Sequence, residues 1–335
     1  MNVLRIGVIG TGRIGKLHVE NLSKFVERAK VVALADPFIE QAKAWAPDYQ
    51  ISAMYDDYRD LLADPNVDAV VIASSTDTHA EIAIAAAKAG KAIFCEKPID
   101  WDLGRIHAVI DAVKAAGVPF QVGFNRRFDH DFRRVRDLVE DGTLGEPHIV
   151  RVSSRDPAPP PISYVKVSGG LFNDMMIHDF DMVRFLTGSD VVEVTAKGAV
   201  LVDPAIGEAG DVDTAIVLMK MKNGALATID NSRQAVYGYD QRVEVFGSKG
   251  MAYALNDKPS TVEVFTVDPP RTDKIPHFFL DRYTGAFIGQ FDAFVKLVLD
   301  GGPNPVNEID GLRAVEIALA AKRSLEEGRT ITLEI

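Results

Sequence analysis

Two folds in series are expected from this chain of 335 residues. The first is an α/β domain with a doubly wound parallel sheet, and the second an α+β domain whose large open sheet is mostly antiparallel. Three observations predict them. Up to about residue 123, short apolar runs rich in β-branched residues alternate with helical stretches, the mark of parallel strands covered on both faces. Beyond that point, strand-like runs follow one another without intervening helices. The length itself suggests about two domains, at one per roughly 150 residues. The domains are placed at 1–123 and 124–335, with the last helices able to pack back on the first domain.

The elements follow in order. A strand over 3–9 leads through Gly-rich sequence to a helix from Ile14 to Phe25. Strand 31–35, helix 39–46, strand 67–73, helix 78–89, strand 92–95, helix 103–116 and strand 119–123 continue the alternation. Next come a helix over 133–141, closed by Gly142, and a strand over 148–153. A loop with four prolines (DPAPPPISYVKVSGG) precedes one long helix expected over 170–186. Strands are then expected over 191–202, 213–221, 225–233, 241–246, 251–255 and 261–266. The turns at Asn223-Gly224 and at Ser248 to Gly250 make these strands antiparallel neighbours. Helices over 285–299 and 311–327 and a short run ITLEI complete the chain.

Composition excludes several classes. Lys and Arg total 37 against 48 Asp and Glu, a formal charge of −11. That balance does not suit nucleic acid, whose phosphates call for clustered cations. No apolar run approaches the ~18 residues of a membrane span, and MNVLRIGVIG reads as a strand rather than a signal peptide. Cys95 is the only cysteine, so an internal disulfide and any multi-cysteine zinc site are excluded; its residue type suits a small buried hydrophobe. A cytoplasmic, metal-independent protein is the expectation.

Gly10-Thr11-Gly12-Arg13-Ile14-Gly15 fits G-x-G-x-x-G between a strand and a helix. The first glycine permits the tight turn and the second lets the backbone approach a pyrophosphate. The third allows close helix–strand packing, and free N–H groups at the helix start face the anion. Asp36 ends the next strand, 21 residues beyond Gly15, where a carboxylate can hold both ribose hydroxyls and would repel a 2′-phosphate. Pro37 and Phe38 offer no cation to offset that repulsion. A Rossmann domain binding NAD rather than NADP is expected.

Glu96-Lys97-Pro98 falls at the end of a central strand, where ligands of open α/β sheets bind. Further on, Asp174 and His178 lie about 40° apart on one face of the expected helix, at roughly 100° per residue. Asp181 falls beside them. Apolar residues fill much of the remaining circumference, and ionisable groups on so buried a helix need a partner or a task. A core histidine satisfied by Asp174 and a zinc site are the alternatives; zinc lacks a third ligand at suitable spacing.

RIGVIGTGRIG at 5–15, AIFCEKPI at 92–99, QVGFNRRFD at 121–129, SRDP at 154–157 and MMIHDFDM at 175–182 resemble the Gfo/Idh/MocA family of NAD(P)-dependent oxidoreductases over essentially the whole chain. The last two segments look like its inositol-oxidising branch. The resemblance implies that Lys97 touches substrate and nicotinamide, and that His178 is the catalytic base with Asp174 beside it. Cofactor contacts are implied at the glycine loop, Asp36, Ser74, Ser75, Thr76, His79, Glu96, Lys97 and Asn125. By position, Arg126, Asp156 and Tyr237 join Lys97, Asp174 and His178 as substrate contacts. A homotetramer assembled through the open sheets is also implied.

The reaction expected is oxidation of the neutral polyol myo-inositol to scyllo-inosose, with NAD as cofactor and His178 as general base. Two alternatives stand beside it. One is a dehydrogenase for scyllo-inositol or another sugar; the other is a sugar-responsive, NAD-binding regulator without turnover.

Overall fold

The apolar runs of the first third form parallel strands in the computed structural model, which describes residues 2–334. They are β1 (Leu4–Ile9), β2 (Ala29–Ala35), β3 (Ala53–Tyr55), β4 (Ala69–Ile72), β5 (Ala92–Cys95) and β6 (Phe120–Val122), in the spatial order β3-β2-β1-β4-β5-β6. Every pairing is parallel. From β1 the chain winds outward to β2 and β3, then returns to β4 and winds the other way. The strand order therefore reverses at the carboxyl ends of β1 and β4, the place where such sheets bind ligands.

Local chemistry fixes the intervening helices. Asp102 caps Leu103–Ala116 by accepting the Arg105 N–H, and Gly117 closes it with φ of 62°, the left-handed conformation that glycine adopts without cost. Helix Arg13–Phe25 begins at Gly12 with no side-chain cap and no acid in its first turn. Two short elements lay outside the expected set, β3 and helix Tyr58–Ala63, the latter capped by Asp57. The helix expected over 39–46 is instead two 3₁₀ segments, Ile39–Ala44 and Ala46–Tyr49. Pro47 opens the second, and its missing N–H cannot continue an α-helical ladder.

The chain divides into two compact units, Met1–Asn125 with Gly285–Arg313 and Arg126–Thr284 with Ala314–Ile335. Helix Thr284–Asp300 thus counts almost wholly with the first unit. The reason is its apolar face: Phe291, Phe294 and Val295 join Phe94 of β5, Val8 of β1 and Leu34 of β2 in one core. The boundary expected at 123/124 allowed the last helices to pack back on the first domain, and this helix is one of those segments.

In the second unit, β7 (Pro147–Arg155), β8 (Val191–Ala199), β9 (Thr214–Met221), β10 (Leu226–Ser232), β11 (Asp240–Gly247) and β12 (Met251–Ala254) form one sheet. Strand β15 (Ile331–Thr332) completes the order β12-β11-β7-β10-β9-β8-β15. Only β7 and β10 run parallel; the other neighbours are antiparallel. The strand expected over 261–266 shrinks to β13 (Glu263–Val264), paired with β14 (Arg271–Thr272) in a separate hairpin.

Alternation along the strands gives this sheet two unlike faces. Val150, Val152, Val217, Met219, Ala227, Ile229, Val243 and Val245 are buried, whereas Ile216, Leu218, Leu226 and Phe246 stand exposed on the other face. The helix expected over 170–186 is broken into Gly170–Asp174 and Ile177–Thr187. At the break, the Met175 and Met176 N–H groups share the Leu171 carbonyl. This wide turn inserts a residue into the ladder, so the uniform spacing assumed between Asp174 and His178 does not apply. Among the described residues, no helix is long and apolar enough to cross a membrane.

Candidate active site

The glycine loop lies at the switch point of the first sheet. Gly10 has φ of 93°, and a Cβ there would stand 2.5 Å from the Ala73 carbonyl carbon and the Ser74 nitrogen. A Cβ on Gly15 would meet the Gly10 carbonyl oxygen at 1.9 Å. Both glycines are therefore demanded by packing. Gly12 differs: among the described residues no atom lies within 4 Å of where its Cβ would be. That open space, before an uncapped helix start without acids, fits the approach of a pyrophosphate.

Asp36, half-buried at the end of β2, is drawn into the same loop. Its Oδ2 accepts the Thr11 N–H at 2.7 Å and the Thr11 hydroxyl at 3.0 Å, while Oδ1 accepts the Phe38 N–H at 2.8 Å. The carboxylate is thereby oriented beside Gly10 and Gly12, where a dinucleotide's ribose would reach it. The loop geometry and the donor set fit NAD. Arg13 and Ile14 open the helix, and Ser75 is the N-cap of helix Thr76–Lys88. The Ser74 and Thr78 hydroxyls share a hydrogen bond of 2.7 Å.

Two expected cofactor contacts have internal bonds, and a third is buried. His79 is buried, its Nδ1 2.8 Å from the Pro98 carbonyl and its Nε2 3.1 Å from the Ser74 carbonyl. The Glu96 carboxylate faces inward: Oε1 accepts from buried His18 Nε2 at 2.7 Å, and Oε2 accepts the Lys97 N–H at 3.2 Å. Asn125 is buried at the start of a 3₁₀ turn, Asn125–Phe128. Lys97 itself is half-buried just after β5, joined to Pro98 by a cis peptide bond.

In the second unit, the expected residues fall into three groups. Asp174, Asp156 and Tyr164 converge on Arg233, a residue that the sequence analysis passed over. Arg233 donates from Nη2 to Asp174 at 3.0 Å and from Nη1 to Asp156 at 3.3 Å, and its side chain is only 4% exposed. The Tyr164 hydroxyl, from the proline-rich loop, donates to the other Asp174 oxygen at 2.8 Å. Burial pushes the Asp156 carboxyl above its ordinary range; Arg233 pulls it down and neighbouring Asp174 adds to the rise. His178 is half-buried in the first turn of helix Ile177–Thr187, past the break that separates it from Asp174.

The second group is built around Arg126. Its guanidinium is buried and bound from Nη1 to Asp179 at 2.6 Å and to Ser154 at 3.0 Å, and from Nη2 to Tyr239 at 3.3 Å. Asp179 completes its own shell with the Ser154 hydroxyl and the Asn231 amide. Arg126 thus secures the His178 helix against β7 and β10, a buried charge matched by a buried charge. Arg127 does the same through both oxygens of Asp181.

The third group holds Tyr237. Its hydroxyl donates to Asp240 at 2.7 Å and accepts from Arg155 at 3.1 Å. These bonds commit it to a charged network of Arg155, Asp230, Asp240 and Arg242 rather than to the Arg233 cluster. Hydrophobic periodicity could find none of these partners. The only sequence signal for Arg233 was a basic residue at the end of a strand, the position type that also marked Lys97.

Comparison with known proteins agrees with this reading. The family model described as "Oxidoreductase family, NAD-binding Rossmann fold" matches residues 4–124, and the GFO/IDH/MocA C-terminal domain matches residues 132–253. Myo-inositol 2-dehydrogenase of Thermotoga maritima is 49% identical over 331 residues, covering 99% of each chain. The structure of a putative myo-inositol dehydrogenase from Sinorhizobium meliloti is similar with a TM-score of 0.95 at 45% identity, over 99% of this chain and 100% of that one. A scyllo-inositol dehydrogenase from Lactobacillus casei, solved with NAD(H) and scyllo-inositol, gives a TM-score of 0.92 at 30% identity and covers 99% of both chains.

Proposed function

The chain belongs to the Gfo/Idh/MocA family of oxidoreductases, whose first domain is an NAD-binding Rossmann fold, and from that premise we propose that it oxidises myo-inositol to scyllo-inosose (2-keto-myo-inositol) with NAD. The observation that carries the substrate is full-length identity of 49% to a myo-inositol 2-dehydrogenase, against 34% to a scyllo-inositol 2-dehydrogenase. The polar chemistry of the second unit supports a neutral polyol. Arg126 and Arg233 are both engaged by carboxylates, which favours hydroxyl groups over an anionic substrate. Asp156 and Asp174 retain acceptor capacity for such hydroxyls.

Each residue has a distinct task. His178 takes the hydroxyl proton as general base. Asp174, held by Arg233 and Tyr164, orients the imidazole and stabilises its charged form. The Lys97 ammonium stabilises the negative charge that develops on the substrate oxygen. NAD, when bound, supplies the hydride acceptor, so a CH–OH group becomes a ketone with release of NADH and a proton. Gly10, Gly12, Gly15, Arg13, Ile14, Asp36 and the Ser74-Ser75-Thr76 turn hold the cofactor; Asp156 is a substrate contact.

We also place the protein in the cytoplasm as a homotetramer. Buried Cys95 suits a reducing compartment. The exposed row of Ile216, Leu218, Leu226 and Phe246 on the open sheet supports association through that face. A panel of myo-inositol, scyllo-inositol and glucose with NAD or NADP tests the substrate reading. NADH formation should be fastest with myo-inositol, and a preference for another member would reassign the substrate.

A further inference from the structure

The backbone on either side of Lys97 is held by two buried histidines that the reaction itself does not use. Strand β5 ends at Cys95, so the Lys97 N–H lies beyond the sheet ladder, and Pro98 has no N–H to offer. The Lys97 N–H is taken by Oε2 of its own neighbour, Glu96. This curled arrangement needs support, and His18 supplies it by donating from Nε2 to Glu96 Oε1 at 2.7 Å.

The tautomer of His18 follows from its surroundings. The ring is fully buried among Phe94, Phe287 and Phe291, the last with ring centroids 4.8 Å apart. Among the described residues, Nδ1 has no hydrogen-bond partner. A buried N–H without an acceptor is costly, so the proton belongs on Nε2, facing the carboxylate. Space for that carboxylate depends on Gly123, where a Cβ would stand 3.0 Å from the Glu96 oxygens. On the other side, the His79 ring is wedged between two carbonyls, Nδ1 2.8 Å from that of Pro98 and Nε2 3.1 Å from that of Ser74, and the Nδ1 tautomer donates to Pro98.

We propose that His18, Glu96 and His79 are positioning residues for Lys97. His18 lies on the helix that follows the glycine loop, and His79 on the helix that follows the Ser74-Ser75-Thr76 turn. The two segments assigned to the cofactor are therefore tied by side-chain bonds to the backbone that carries the lysine. Misplacing a catalytic group by about 1 Å can cost ~100-fold in rate, so the loss of either tie should be felt through Lys97.

This inference rests on the proposed role of Lys97, and a double-mutant comparison separates the two. Lys97→Ala alone tests the role: near-normal turnover of myo-inositol would refute it whatever the histidines do. Given a deficient Lys97→Ala, His18→Leu fills the apolar pocket without supplying a donor, and His18→Gln restores an N–H at the Nε2 position. His18→Leu should lower kcat/KM about 10- to 100-fold and His18→Gln by less than about threefold. In the Lys97→Ala background His18→Leu should add less than about threefold, because residues that act as a unit are not additive. NADH affinity, read by fluorescence titration, should fall less in His18→Leu than in Lys97→Ala. The parallel pair at the other histidine is His79→Leu and His79→Asn, the asparagine amide replacing the Nδ1 donor. If His18→Leu does not fold, Glu96→Gln carries the same comparison, since an amide cannot accept from both partners as the carboxylate does. Equal losses in both backgrounds, or equal activity of the Leu and Gln variants, would overturn the positioning role while leaving Lys97 in place.

Discussion

Replacing Arg233 by methionine is a demanding test of the second unit's electrostatics. The guanidinium is nearly solvent-free and bridges Asp174 and Asp156. Methionine keeps much of the volume but leaves two neighbouring carboxylates with no shared cation. Removing one partner of a buried ion pair costs ~3–5 kcal/mol. The Asp174 and Asp156 side chains retain 14% and 24% exposure, so the lower end, about 3 kcal/mol, is expected after allowance for solvent screening. For a domain of ~150–250 residues that corresponds to a Tm lower by about 6–12 °C.

The deficit should also depend on pH. Asp156 is already pushed up by burial and by Asp174, with Arg233 opposing the rise; without Arg233 the shift grows. A carboxyl whose folded pKa lies above its unfolded value of ~3.9 contributes stability at low pH and loses it as pH rises through the folded value. The gap between wild type and Arg233→Met should therefore be full at pH 7 and narrow as pH falls toward about 5. Adding Asp156→Asn should recover part of it by removing one of the like charges. Urea unfolding across this range is the assay. A deficit below about 1 kcal/mol, or one flat with pH, would show that the bridge does not neutralise the two carboxylates.

Three further outcomes are expected. Asp36→Ala with Pro37→Arg should weaken NAD and improve NADP in steady-state kinetics, because a repulsive charge is exchanged for an attractive one; a wild type already preferring NADP would remove Asp36 from the ribose. His178→Ala should lower turnover by about two to four orders of magnitude, while NADH titration shows binding retained; wild-type turnover would exclude the histidine as base. Asp213, buried, accepts the Leu201, Val202 and Asp203 N–H groups. Burial raises its pKa, but these bonds outweigh that effect and hold it below the ordinary range. Its contribution is present at neutral pH and lost as pH falls through the lowered value, so Asp213→Asn should cost ~2–3 kcal/mol at pH 7 and little in strong acid.

What the sequence made legible was whatever short-range geometry dictates. Gly15 is required by its contact with Gly10 inside one strand–turn–helix unit, and Gly10 by its positive φ in that turn, so spacing marked them; that Gly10 also packs on Ala73 and Ser74 was not legible. The EKP segment and the acidic and histidine residues of 174–178 were legible as residue types at strand and helix positions. Their partners were not. Arg233 meets Asp174 and Asp156 across 59 and 77 residues, and His18 meets Glu96 across 78. No periodicity records such pairings. The break at Met175–Met176 was hidden because apolar residues fill much of that segment's circumference, leaving no narrow stripe whose phase could reveal a slip. Arg126 was named for its position after a central strand, and only the structure shows its bond to buried Asp179.

The central claim is removal of hydride from C2 of myo-inositol with NAD as acceptor. It is tested most directly with myo-inositol deuterated at C2, following deuterium into isolated NADH by mass spectrometry and identifying the ketone. The account requires one deuterium in NADH for each scyllo-inosose formed. NADH without deuterium, or a ketone that still carries the label, would place the oxidation at another carbon and contradict the proposed substrate orientation.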